Sequence, residues 1–108
     1  VGIIERDGGT LYCTAILIDR DGKHLSTHRK LIPTAAERLV WGQGAGDGLR
    51  VVGTELGRVG GLICWENYMP AARLALYQQG IEYEIGTLFA TVIHKLTSFQ
   101  DLYCSKRG

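Results

Sequence analysis

One cysteine in this sequence stands where a nucleophile would. Val59, Leu62 and Ile63 make a short apolar run after Gly57, and past Cys64 the polarity switches at once to Glu66 and Asn67. Pro70 suits a first helical turn, because it lacks an N–H that would be orphaned there anyway. Ala71, Ala72, Leu74, Ala75, Leu76 and Tyr77 then sustain a helix, and Gly80 stops it. The pattern puts Cys64 at the C-terminal end of a buried strand, just before a helix, where open α/β sheets meet their ligands. A thiol at that place is a candidate nucleophile, reacting as its thiolate. Position alone does not decide the matter, since a free cysteine commonly packs as a small hydrophobe.

The other groups able to do chemistry are weaker on residue type alone. Lys30 reads as a solvated lysine at a strand end, and Glu37 as a carboxylate favoured by the dipole at the start of a helix. Residues 42–48 hold four glycines and suggest a phosphate cradle. However, no third glycine completes G-x-G-x-x-G, no Gly-Lys-Ser/Thr is present, and residues 49–52 read as a strand where a helix should follow. A permissive surface loop is the expectation there.

The elements that must hold these groups follow from the pattern. Residues 1–4 form a short apolar run ending in a polar turn over 5–9. Residues 11–18 read as a strand buried on both faces. Asp21-Gly22 signals a hairpin into a second strand over about 23–31, which Pro33 ends. Residues 35–41 are a helical turn or a loop. Residues 54–57 turn into the Cys64 strand, and residues 81–85 form a last strand after the helix. Such a mixture predicts an α/β layered fold with a largely buried sheet. Leu88, Val92, Leu96, Phe99 and Tyr103 recur at helical spacing, so residues 88–106 are predicted to form an amphipathic helix.

Composition narrows the function classes. The 108 residues make one domain at most, and a hydrophobic share of 45% is enough for a real core. Twelve basic against eleven acidic side chains leave a charge of +1 without a block of either sign, which argues against nucleic acid or a polybasic membrane contact. No apolar run approaches the roughly 20 residues that span a bilayer. Cys13, Cys64 and Cys104 cannot all pair with one another and have no metal-ligand spacing, so no metal and no cofactor are expected, and a reducing, cytoplasmic setting fits. The chain opens at Val1, mid-strand in pattern, and reads as a piece of something longer.

Three motifs in order carry a resemblance. They are His28-Arg29-Lys30-Leu31-Ile32-Pro33-Thr34, then Glu37-Arg38-Leu39-Val40-Trp41-Gly42, then Gly61-Leu62-Ile63-Cys64-Trp65-Glu66-Asn67. Together they resemble the nitrilase branch of the carbon–nitrogen hydrolase superfamily, over about residues 1–82. The resemblance implies an α/β fold that is part of an α-β-β-α sandwich, with a mixed sheet covered by helices. It implies Cys64 as nucleophile, Lys30 as catalytic lysine and Glu37 as supporting glutamate. The Cys-Trp-Glu-Asn wording is typical of nitrile-cleaving members. The expected substrate is a small nitrile, or an amide, and the expected assembly a homo-oligomer.

Those roles make chemical sense. An ammonium beside a thiol favours the thiolate, and Lys30 can supply it. The same ammonium can hold the charge that develops on the attacked group, with the backbone N–H of Trp65 as second donor. A thioimidate would lose ammonia to give a thioester, and water would release the acid. Both proton transfers need a base, which the family takes from a glutamate upstream of the lysine motif, before Val1. Glu5 does not match that motif and is read as a surface charge. The isolated chain is therefore expected to be inactive or weakly active, and a non-catalytic remnant or association module is the alternative. After Glu82 the wording departs from the family. Residues 1–86 are read as a partial hydrolase domain and 87–108 as a divergent helical segment, with Glu84 expected to be a buried, unpaired charge.

Overall fold

The computed structural model describes residues 1–87. They form two three-stranded sheets. The first holds β1 (Gly2–Asp7), β2 (Thr10–Ile18) and β3 (His24–Arg29), all antiparallel. In the second, β4 (Val52–Thr54) runs antiparallel and β6 (Tyr83–Thr87) parallel to the central β5 (Gly57–Ile63). The parallel pair needs a crossover, and α1 (Pro70–Gln78) supplies it. The predicted helix over residues 88–106 lies outside the described residues.

Helix α1 forms where the pattern puts it, with Pro70 in its first turn and Gly80 beyond its end at φ 72°. Ala72 and Leu76, four residues apart, share one face and close on Leu62 of β5. Leu31, Leu49, Val51, Met69 and Ile81 pack around this cluster. Leu76 and Leu62 are fully buried, each contributing about 2 kcal/mol by removal from water. This core anchors β5, and hence the residues that follow it.

Several boundaries differ from the pattern. Strand β1 continues through Glu5, Arg6 and Asp7, which pair with Tyr12, Leu11 and Thr10, and the turn is only Gly8-Gly9. An edge strand tolerates such charges, because its outer side is solvated. Strand β2 is buried only at Cys13 and Thr14, not on both faces throughout. The predicted strand over 49–52 is displaced to Val52–Thr54. The Leu49 and Arg50 N–H groups are engaged in a tight turn with Gly46 and Gly48 carbonyls, and the Val51 N–H donates to the Gln79 side chain. The last strand begins at Tyr83, since the Ile81 N–H donates back to Leu76. Glu84 is half-buried but paired, 3.2 Å from Arg73; its Oε1 has no hydrogen-bond partner among the described residues.

The glycine-rich stretch is a surface loop, open at Gly46 but held elsewhere. Gly42 and Gly44 lie against the first sheet, their N–H groups donating to the Leu11 and Lys30 carbonyls at 2.8 Å. A Cβ on Gly44 would collide with the Arg29 carbonyl, so the side chain is absent because the backbones touch.

Candidate active site

Lys30 follows β3 directly. Its N–H donates to the Cys13 carbonyl of β2, and its own carbonyl accepts from Gly44, both at 2.8 Å. Side chains alternate along a strand, so Arg29 points out toward Glu5 and Asp7 while His28 and Lys30 point in. Lys30 is 1% exposed, and its Nζ lies 2.5 Å from Glu37 Oε2. An ammonium so deeply buried needs such a partner.

Glu37 sits in a 3-10 helix, Ala35–Leu39, that follows Thr34. Its Oε2 also accepts the Thr34 N–H at 2.7 Å, which locks the carboxylate over the start of its own helix. Burial pushes the Glu37 carboxyl up; the hydrogen bonds from Lys30 and Thr34, with the Lys30 charge, outweigh it and hold the group below its ordinary value. The pair is therefore ionised at neutral pH on the carboxylate side.

Cys64 begins a second 3-10 helix, Cys64–Tyr68, immediately after β5. It has φ 55°, the left-handed region that a non-glycine residue rarely occupies, so the chain bends sharply there and holds strain. Asn67 stabilises the bend, its buried amide donating to the Cys64 carbonyl at 2.7 Å. The thiol is partly exposed and unpaired. Trp65 is 57% exposed and stacks at a tilt on Tyr68, with centroids 5.0 Å apart.

Two residues join these parts that sequence reasoning did not single out. Glu66 is 1% exposed, and its carboxylate accepts three donors: the Leu31 N–H at 2.5 Å, the Ile63 N–H at 2.7 Å and His28 Nε2 at 2.8 Å. A signal for part of this was present. Glu66 stands three residues after Ile63, the spacing at which a glutamate reaches back to the N–H that precedes a helix. Nothing in the sequence pointed to His28 or Leu31 as its other partners. The network assigns the His28 proton to Nε2, facing the carboxylate; its buried Nδ1 has no partner among the described residues.

Cys13 gives a second view of the cluster. Burial pushes its thiol up, Lys30 pulls it down, and Glu37, Glu66 and Cys64 push it up further. All four groups thus lie within electrostatic reach of one sulfur atom. Glu5 stands apart: its carboxylate accepts from Arg29 Nε and Nη2 and from the Thr14 hydroxyl, so it is committed to an ion pair. On the Arg29 side of β3 a groove of about 590 Å³, lined by Tyr12, Arg29, Gln43 and Arg50, does not include Cys64, Lys30 or Glu37. Among the described residues no group of three His, Cys, Asp or Glu side chains could hold a metal ion.

Comparison with known proteins identifies the family and the fold. Over 81 residues the chain is 58% identical to an aliphatic nitrilase of Sinorhizobium fredii, covering 75% of this chain and 26% of that protein. Over 82 residues it is 54% identical to a bifunctional nitrilase/nitrile hydratase of Nicotiana tabacum, covering 76% of this chain and 24% of that one. The chain thus spans about a quarter of the length of these relatives. The crystal structure of Saccharomyces cerevisiae Nit3, a member of branch 10 of the nitrilase superfamily, matches 88% of this chain and 35% of its own, with a TM-score of 0.72 and 26% identity. A carbon–nitrogen hydrolase from Helicobacter pylori shares the fold, with a TM-score of 0.70 over 93% of this chain and 36% of that one, at 21% identity. These neighbours have the α-β-β-α architecture, to which the two sheets and the helix described above correspond. The sequence model of the carbon–nitrogen hydrolases matches residues 1–102, and the chain belongs to that family.

Proposed function

We propose that this chain carries part of the active site of a nitrile-cleaving hydrolase, with Cys64 as nucleophile, Lys30 as its cationic partner and Glu37 as the carboxylate that holds Lys30 in place. The observation that supports the reading is a lysine buried to 1% exposure on a carboxylate, next to a backbone N–H held by the same Glu66 carboxylate that holds the N–H before Cys64. Lysine ordinarily keeps its charged head in water, so a fully buried one calls for a reason.

In the reaction, the Cys64 thiolate adds to the nitrile carbon, and one C–N π bond becomes a lone pair on nitrogen. The Lys30 ammonium, with the Trp65 N–H, stabilises that charge, and protonation gives a thioimidate. Water adds to the thioimidate carbon and ammonia leaves, giving a thioester; a second water cleaves the C–S bond, releasing the acid and restoring the thiol. Both waters require a general base. Glu37 has its Oε2 filled by Lys30 and Thr34, which suits it to hold the lysine and leaves the base to the glutamate that the family places upstream of the lysine motif. The substrate is a small nitrile, or an amide attacked in the same way. A free Cys64 thiol suits a reducing, cytoplasmic setting. No helix among the described residues is long and apolar enough to cross a membrane.

Thiol alkylation tests the reading. Cys64 is expected to react faster at neutral pH than Cys13, whose thiol burial pushes up, and faster than Cys104. Equal rates at the three cysteines would remove the activated pocket. The chain alone should release little or no ammonia from aliphatic or aromatic nitriles, and any release should vanish in Cys64→Ala. The division at residue 86 belongs to the same reading; the relatives align over 81 or 82 residues, whereas the family's sequence model continues to residue 102. A second reading, a non-catalytic module that pairs with another chain, is favoured by the exposed Val1, Ile4, Leu39 and Leu56 side chains. A monomer in sedimentation at tens of micromolar would count against it, and against the homo-oligomer expected of the whole protein.

A further inference from the structure

Lys30 and Cys64 belong to different sheets. Lys30 follows β3 of the first, Cys64 follows β5 of the second, and among the described residues no ladder joins the two sheets. Packing alone would let one sheet slide against the other by a fraction of an ångström, since apolar contact is not directional. Two groups that must act on one atom need a tighter constraint than that.

We propose that Glu66 is the positioning residue that supplies this constraint, a clasp that fixes Lys30 and Cys64 relative to each other. Its Oε1 accepts the N–H of Leu31, the residue after Lys30, at 2.5 Å. Its Oε2 accepts the N–H of Ile63, the residue before Cys64, at 2.7 Å. The two sheets are thus joined through one carboxylate, immediately beside each reactive residue. His28 Nε2 adds a third donor at 2.8 Å, from the inward face of β3. A carboxylate buried to 1% exposure is costly to desolvate, and three donors on two oxygens offset that cost. A neutral amide cannot replace it, because Gln has one acceptor oxygen and would turn an NH₂ toward one of the N–H groups. Glu66 touches no reacting atom in this scheme; it acts through the backbone on either side. The inference rests on the proposed pairing of Lys30 with Cys64.

The test uses two alkylating agents on the full chain, with each cysteine followed by mass spectrometry. Iodoacetate carries a negative charge and iodoacetamide does not, so the ratio of their rates at Cys64 reports an ammonium beside the sulfur. Lys30→Gln sets the ratio without that charge. The wild-type ratio should exceed it by about five-fold, the worth of one screened ammonium–carboxylate contact. Glu66→Gln should fall to near the Lys30→Gln ratio while Cys13 stays protected, which separates a lost register from unfolding. A wild-type ratio retained in Glu66→Gln overturns the clasp alone. A wild-type ratio no higher than that of Lys30→Gln overturns the pairing, and the clasp with it. Should Glu66→Gln expose Cys13, amide exchange decides on folded protein. Leu31 and Ile63 should exchange slowly in the wild type and accelerate together in His28→Gln, whereas independent behaviour of the two amides overturns the inference.

Discussion

Strand β3 feeds two ion clusters that differ in almost everything but composition. On its inner side Lys30 meets Glu37, with the lysine side chain 1% exposed. On its outer side Arg29 meets Glu5 and Asp7, with side chains 31%, 25% and 63% exposed. The last residue of β3 and the one after it thus place one cation at the rim and one in the interior. The outer cluster has water as an alternative partner for each group, so little is lost when it breaks. The inner lysine has none. Removing Glu37 leaves the Lys30 ammonium where almost no solvent reaches it, which costs far more than the intact pair contributes. An interior ion pair that is expensive to maintain points to a use for the charge, and at the rim no such conclusion follows.

The largest expected effect follows from breaking the inner pair. Glu37→Gln should lower the unfolding free energy in urea by about 2–3 kcal/mol, somewhat less than a fully buried pair because the Glu37 side chain is a quarter exposed. A loss no greater than that of the outer variant below would erase the distinction between the two clusters. The acid limb of stability gives a second, smaller difference. The Glu37 carboxyl is held below its ordinary value of 4.5 in the folded chain. Its contribution is therefore complete above that value and is lost as pH falls through the lower folded one. Wild-type stability should drop across that acid range, and Glu37→Gln should show a shallower drop in thermal melts recorded at each pH. Glu5 is also held below 4.5, by hydrogen bonds from Arg29 and Thr14, but its exposure leaves water to compete. Glu5→Gln should accordingly give the smallest change, at the edge of resolution in urea titration and reduced further by salt. A large loss there would mean that the β1 edge, and not the seam between the sheets, carries the electrostatic stability.

Much of this architecture could be read in advance, for identifiable reasons. The strand before Cys64 and the helix from Pro70 declare themselves through contiguous apolar residues bounded by Gly57, Pro70 and Gly80, signals confined to a few neighbours. The partnership of Lys30 with Glu37 was legible only through the resemblance, since seven residues and a turn separate them and each alone passes for a surface charge. The pairing of Glu84 with Arg73 and the close packing of Gly44 on Arg29 were not legible. Both are contacts between separate elements, and no local pattern encodes which elements meet. Glu66 is the instructive intermediate case. Its bond to Ile63, three residues back, follows a known spacing, while its bonds to Leu31 and His28 cross 35 and 38 residues.

The sequence by itself determined the family, the order of the elements and the identity of the nucleophile candidate, because each depends on residue types within a short window. Only the tertiary structure decided how the two sheets are tied at the reactive residues and which charges lie beyond the reach of water. Burial is a property of what packs on top, and a carboxylate's partners are whichever donors the folded chain brings within 3 Å.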